Sequence, residues 1–210
     1  QLRTAYNHIS YKAEVDGSMK IKKFINDWLC ANPNQLVYED SDVYPNEEDC
    51  PDDIYNLWKP FRCEKADFEG SKGYDIFLDH IRVLCNNDEE VYNYLIKWIA
   101  HAIQYPEVKP GVCPVLISKE GAGKGTFMSM LKKMLGDTKV FETTQPSRDV
   151  WGQFNNQMMN NYIVNLNELC KREQVEAVGR LKALITDPDV TINQKGINSY
   201  NVKSYHRFIV

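Results

Sequence analysis

The stretch Val112-Cys113-Pro114-Val115-Leu116-Ile117-Ser118-Lys119-Glu120-Gly121-Ala122-Gly123-Lys124-Gly125-Thr126-Phe127 decides the fold. Its first six residues form a short apolar run suited to a buried parallel strand. From Thr126 to Leu135 the pattern is helical, and Gly136 is placed to end that helix. Between strand and helix lie glycines at 121, 123 and 125, which let backbone N–H groups turn inward without a Cβ clash. The N-terminus of the following helix adds partial positive charge, so the loop is built to hold phosphates. Lys124 is placed to reach β- and γ-phosphate oxygens, and Thr126 offers a hydroxyl to Mg²⁺. Glu120, Gly121, Ala122, Gly123, Lys124, Gly125 and Thr126 are therefore the expected ATP-binding set. The strict pattern G-x-x-x-x-G-K-[ST] is not met. Ser118 stands at the first glycine, and Gly125 follows the lysine, which moves the hydroxyl one place on. The competing reading is a glycine turn with a surface lysine.

Downstream, strand and helix signals alternate. Lys139 to Phe141 and Tyr162 to Leu166 read as strands, Glu173 to Ile185 as a helix with Val175, Val178, Leu181, Leu184 and Ile185 inward. Val190–Ile192 and Tyr200–Val202 read as a hairpin, and Arg207 to Val210 as the start of another strand. This alternation predicts an α/β domain over 109–210 with a mostly parallel sheet. The run Tyr162-Ile163-Val164-Asn165-Leu166-Asn167-Glu168 is an apolar strand ending in Asn-Glu. An NTPase of this type needs an acid at that place to hold metal or polarise water. Glu168 is assigned general base or water positioning, and Thr126, Asn167 and Glu168 the metal site; Asn167 carries no charge and weakens it. Lys195 and Gly196 form the expected tip of the hairpin, where a lysine can meet a nucleic-acid phosphate.

Upstream, residues 1–108 read as a mainly helical subdomain with an acidic loop. Residues 1–17 read as a tail. Met19 to Cys30 reads as a helix capped by Ser18, with Ile21, Phe24, Ile25, Trp28 and Leu29 on one stripe. Glu39 to Asp53 carries eight acids and no Lys or Arg, and reads as a solvated loop. Ile54 to Cys63 reads as two short strands around a turn. Tyr74 to Cys85 is a second helix, with Phe77, Leu78, Ile81, Leu84 and Cys85 inward. Asn87 or Asp88 caps a third, with Val91, Leu95, Trp98, Ile99 and Ala102 inward. Trp28, Trp58 and Trp98 read as core rather than as base-stacking platforms.

The whole-chain numbers narrow the classes. A net charge of −4 over 210 residues argues against a histone-like polyanion binder. It hides an asymmetry, because residues 171–210 carry seven Lys/Arg against four acids while the front is acidic. No apolar run reaches the ~20 residues of a membrane span. The six cysteines include no C-x-x-C pair, which argues against zinc and redox motifs. Gln1 at the start and Phe208-Ile209-Val210 at the end read as the edges of a fragment.

Taken together, these features resemble the ATPase domain of superfamily 3 helicases, an AAA+-like P-loop NTPase, and above all the poxvirus-type primase-helicases of large DNA viruses and related phage proteins. The resemblance runs from Phe24 to Val210. It is carried by IYNLWKPF (54–61), FLDHI (77–81), KEGAGKGTF (119–127), WGQFN (151–155), NLNE (165–168), LKALIT (181–186) and QKG (194–196). It implies ATP and Mg²⁺ as cofactors, Lys124 and Glu168 as catalytic residues, and Lys195 and Gly196 touching single-stranded DNA. It also implies a hexameric ring of identical chains, a primase domain on the same chain, and an intracellular site of viral replication. Phe154-Asn155 match a signature with no derived role. The family's sensor Asn is expected beyond Val210. Arg172, Arg180 and Arg207 are present for an arginine finger, but nothing in the sequence selects one. Two other readings stand beside this one. GAGKGT is similar to the adenylate-kinase loop, although such enzymes carry it near their start and clamp phosphates with several arginines. A non-hydrolysing ATP-binding assembly module is the third.

Overall fold

The computed structural model describes residues 7–31, 36–65, 72–167, 169 and 171–210, by backbone alone at 31, 65 and 171–176. The chain forms two compact units, residues 1–40 and 41–210, so the expected boundary at 108–109 lies inside the second.

The first unit holds β1 (Ser10–Val15), β2 (Ser18–Lys23) and α1 (Phe24–Ala31). β1 and β2 pair antiparallel from Ser10 against Lys23 to Val15 against Ser18. Asp16 and Gly17 make the turn at φ +53° and +75°, the two-residue hairpin geometry that Asp-Gly favours. This corrects the reading of 1–17 as a tail and of Met19–Cys30 as one helix. Ile21 satisfies helical spacing, yet it sits in a strand, 74% exposed. Pairing with β1 supplied hydrogen bonds that periodicity does not register. Ile25 is buried, whereas Trp28, expected in the core, is exposed.

β3 (Asp40–Asp42), which begins on the last residue of the first unit, forms a two-stranded ribbon with β4 (Ile54–Asn56). The acidic segment is thus partly regular: between these strands, Asn46 accepts from the Glu48 amide and caps a 3₁₀ turn over Glu47–Asp49. After β4 the chain enters a second 3₁₀ turn, Arg62–Lys65, and not the second strand expected there. Next come α2 (Lys72–Leu84) and α3 (Glu89–Gln104). Asp88 caps α3 by accepting from the Glu90 and Val91 amides. Tyr92, Leu95, Trp98, Ile99 and Ala102 face inward; Val91 is exposed, and Tyr92 takes the place expected for it.

α4 (Lys124–Leu135), β5 (Val140–Thr143), the single-turn α5 (Pro146–Asp149), β6 (Ile163–Leu166), α6 (Lys171–Thr186), β7 (Asp189–Ile192), β8 (Tyr200–Lys203) and β9 (Arg207–Ile209) complete the chain. The sheet runs β5-β6-β9, parallel throughout, with Val140 opposite Ile163 and Ile163 opposite Arg207. Next to β9, the Leu116 amide donates to the Val210 carbonyl at 2.7 Å and the Val210 amide to the Pro114 carbonyl at 3.0 Å. Both bonds of one residue straddling residue 115 is a parallel ladder. The expected strand at 112–117 is reduced to this short pairing. Pro114 has no N–H to extend it, and Val115 and Ile117 are exposed rather than buried.

Alternation along each strand divides the sheet between two cores. Ile163 and Ile209 face a core shared with Ile81, Leu95, Trp98, Phe127 and Leu131. Val164, Leu166 and Phe208 face the other, with Val150, Met158, Val190, Ile192 and Val202. α2 and α3 therefore share a core with the sheet. On α6, Ala177 is buried while Val178, expected inward, is 75% exposed; the side chain of Val175 lies outside the described residues. β7 and β8 pair antiparallel from Asp189 against Lys203 to Ile192 against Tyr200, as expected.

Arg207 is 1% exposed. Its guanidinium donates to the carbonyls of Tyr105 at 2.8 Å and Val108 at 2.7 Å, near the end of α3, and lies over the Tyr162 ring. Helix ends leave carbonyls without intrahelical partners, and this buried cation satisfies the region. Arg207 is thus a structural residue, excluded by burial from reaching a neighbouring subunit as an arginine finger.

Candidate nucleotide and nucleic-acid sites

The glycine loop lies at the carboxyl side of the 114–116 pairing, and α4 starts from it. Gly123 occupies the N-cap in the left-handed region, φ +95°, with no side chain capping the helix. The first amides of a helix have no intrahelical acceptor, so this start is open to an anion. Gly121 is also left-handed, φ +76°. Lys124 donates to the Ser118 hydroxyl at 2.6 Å. Ser118, which stands where the strict pattern has glycine, thereby holds the lysine across the loop.

A cleft of about 340 Å³ is lined by Glu120, Gly121, Ala122, Gly123, Lys124, Gly125, Thr126 and Asn167. The seven residues expected to bind ATP thus share one cavity with the residue that ends the acid-bearing strand. Asn167 is carried there because its amide donates to the Thr143 carbonyl at 2.8 Å, one step past the β5–β6 ladder. Of the expected metal set, Thr126 and Asn167 line this cleft, and Glu168 lies outside the described residues. Among the described residues, no three His, Cys, Asp or Glu side chains gather as a metal cluster.

An adjoining cavity of about 590 Å³ is lined in part by Ser118, Lys124, Asn165, Asn167, Leu169 and Val210. Asn165 is buried on β6 and donates to Glu142 on β5 at 3.2 Å. Glu142 in turn accepts from Lys132 of α4 at 2.6 Å. Asn165 and Glu142 stand outside the expected site set. The signal for the first was there: a polar residue inside a wholly buried strand needs a partner.

His80, from α2, meets the loop, with Nε2 3.0 Å from the Gly123 carbonyl. FLDHI carried resemblance without a role, and this contact was not legible in it.

Lys195 and Gly196 are exposed at the tip of the β7–β8 hairpin, with Gly196 at φ +79°. They do not line the loop cleft. The turn end of β7 is held by Asn155, which is 6% exposed. Asn155 Nδ2 donates to the Thr191 carbonyl at 2.9 Å, and its Oδ1 accepts from the Asn193 amide at 2.8 Å. Its own amide donates to the Asn193 carbonyl at 3.2 Å. The signature Phe154-Asn155 thus gains a role in Asn155: it fastens the hairpin to the body.

The strongly shifted groups lie away from the cleft. Burial pushes His206 down to about 4, and it bonds Ser204 and the Met158 carbonyl. Burial also lowers Lys139, stacked under Trp58, to about 8. The Cys113 thiol is pushed up to about 12 by burial. A thiol so raised is a poor nucleophile and ligand. Cys30, Cys50, Cys63, Cys85 and Cys113 are free.

With the geometry in hand, comparison with known proteins is informative. A family model described as a family of unknown function (DUF5906) matches residues 116–210, the loop, sheet and hairpin. The chain is 29% identical over 197 residues to the DNA primase-polymerase of Nitratiruptor phage NrS-1, which covers 84% of this chain and 27% of that protein. It is therefore related to a phage DNA-replication protein and spans about a quarter of it. The fold is that of the NrS-1 C-terminal region. One apo structure of that region matches at TM-score 0.70 with 22% identity, covering 95% of this chain and 51% of that one. A second matches at 0.71 with 23% identity, covering 95% and 50%. Among the described residues, no helix is long and apolar enough to cross a membrane.

Proposed function

We propose that this chain is the ATPase part of a viral replicative helicase of the superfamily 3 type, and that its phosphate loop binds ATP with Mg²⁺. The single observation that carries the reading is the cleft in which Glu120 to Thr126 and Asn167 meet at the start of α4. The residues fit the group: a helix start without a side-chain cap, two left-handed glycines, a lysine held across the loop and a threonine on the same cavity. ATP would supply the cleavable β–γ phosphoanhydride. Lys124 would balance phosphate charge, Thr126, Asn167 and Glu168 would hold Mg²⁺, and Glu168 would act as general base or position water. The tip of the β7–β8 hairpin, where Lys195 is exposed, is suited to a DNA phosphate. Kinship to a phage DNA primase-polymerase supports a role in viral DNA replication inside the host cell, with single-stranded DNA as partner. A ring of identical chains and a primase on the same polypeptide belong to this reading.

The test is ATP hydrolysis with and without single-stranded DNA. Hydrolysis should rise with DNA and fall at least about a hundredfold in Lys124→Ala, the range expected when one charge-stabilising group is lost. Transfer of phosphate to AMP would instead favour a nucleotide kinase. ATP binding with no hydrolysis would favour the assembly module.

A further inference from the structure

We infer that His80 is a positioning residue of the phosphate loop, locking the Gly123–Lys124 peptide so that its amide faces the cleft. The inference rests on the nucleotide reading above. His80 Nε2 lies 3.0 Å from the Gly123 carbonyl oxygen. A carbonyl only accepts, so Nε2 carries the proton in this contact. The same oxygen accepts from the Phe127 amide at 3.0 Å. Both lone pairs of one carbonyl are therefore engaged, one by α4 itself and one by a side chain from α2.

The geometry of the peptide turns this into a statement about the loop. A trans peptide is planar, with its N–H opposed to its C=O. Fixing the Gly123 oxygen therefore fixes the Lys124 N–H in the opposite sense, out of the helix start, among the amides that no intrahelical carbonyl accepts. The imidazole also occupies the space above the Gly123 α-carbon. A Cβ built there would lie 2.6 Å from His80 Cε1 and 3.1 Å from Nε2, whereas at Gly121 and Gly125 it would meet nothing within 4 Å. Gly123 is thus the loop glycine whose missing side chain is required by a neighbour as well as by φ. His80 is well founded for this task. The adjacent Ile81 is 0% exposed, and Cys85 one turn on is also buried, both in the core that α4 shares. The exposed loop is braced by a rigid helix.

Three substitutions separate the bond from the packing. His80→Ala removes both, His80→Phe keeps a ring without the donor, and His80→Gln keeps an amide donor. ADP affinity is measured by calorimetry on the 210-residue chain, and hydrogen exchange is followed over residues 119–127 without nucleotide. His80→Ala and His80→Phe should weaken ADP about tenfold and speed exchange in the loop, while His80→Gln stays within about threefold of the parent. Adding His80→Ala to Gly123→Ala should recover part of the affinity lost by Gly123→Ala alone. The inference fails if His80→Ala and His80→Phe match the parent in affinity and exchange while Lys124→Ala loses ADP. If the parent binds no ADP but loop exchange still rises in His80→Ala, the nucleotide reading falls and the bracing contact stands.

Discussion

Replacing Asn155 with alanine should release the turn end of β7 in the β7–β8 hairpin. The side chain makes two bonds to backbone, to the Thr191 carbonyl at 2.9 Å and from the Asn193 amide at 2.8 Å. The bond from the Asn155 amide to Asn193 survives the change. Leaving a buried backbone group unpaired costs about 1–3 kcal/mol. Thr191 is exposed and Asn193 half-buried, so water replaces part of what is lost. The low end therefore applies, about 1–1.5 kcal/mol for each group and about 2–3 kcal/mol together. For a domain of this size that lowers Tm by about 4–12 °C. Thermal and urea unfolding read the stability, and hydrogen exchange over 189–203 reads the hairpin. Asn155→Asp keeps the acceptor but turns a buried carboxylate oxygen toward the Thr191 carbonyl, so it should cost at least as much as alanine. Under the proposed function, Asn155→Ala should weaken binding of single-stranded DNA as Lys195→Ala does, with ADP binding intact. A loss below about 0.5 kcal/mol, the scatter of ordinary surface changes, with unchanged exchange over 189–203, would refute the clamp.

Two further outcomes follow from buried groups. Arg207→Met should destabilise the fold by about 2–4 kcal/mol, because the buried carbonyls of Tyr105 and Val108 lose their donor and each unmade buried hydrogen bond costs about 1–3 kcal/mol; chemical denaturation at constant pH measures it, and a loss under about 1 kcal/mol would contradict the assigned role. His206 has its folded pKa depressed to about 4 from 6.5, so below pH 6.5 the unfolded chain binds the extra proton. Stability should then fall as pH drops from about 6.5 to about 4, with a slope of up to about 1.4 kcal/mol per pH unit, and His206→Gln should flatten that part of the profile.

How far the sequence carried the reading depends on the range of the contacts involved. The loop glycines were legible because each needs only its own φ and the charge of the helix that follows. β6 was legible from IVNL, apolar on both faces except at Asn165, which the structure pairs with Glu142 across the β5–β6 ladder. Met19–Lys23 misled because a stripe at helical spacing was continuous with α1, while the hydrogen bonds that decided the matter came from Ser10–Val15. Val112–Ile117 misled because burial was inferred from composition; among the described residues, Val210 supplies its strand pairing. Glu168, the acid on which hydrolysis is proposed to turn, lies outside the described residues.

By itself, then, the sequence determined the local devices: the glycine loop ahead of a helix, the parallel-sheet strands, a cap for α3 at Asn87 or Asp88 and the hairpin with Lys195 at its tip. Each is specified by neighbours a few residues apart. The tertiary structure alone decided what holds those devices in place. His80 meets Gly123 across 43 residues, Asn155 meets Asn193 across 38, and Arg207 meets Val108 across 99. Such pairs leave no periodic trace along the chain, because a hydrogen bond between distant residues depends on the folded path and not on the spacing that periodicity reads.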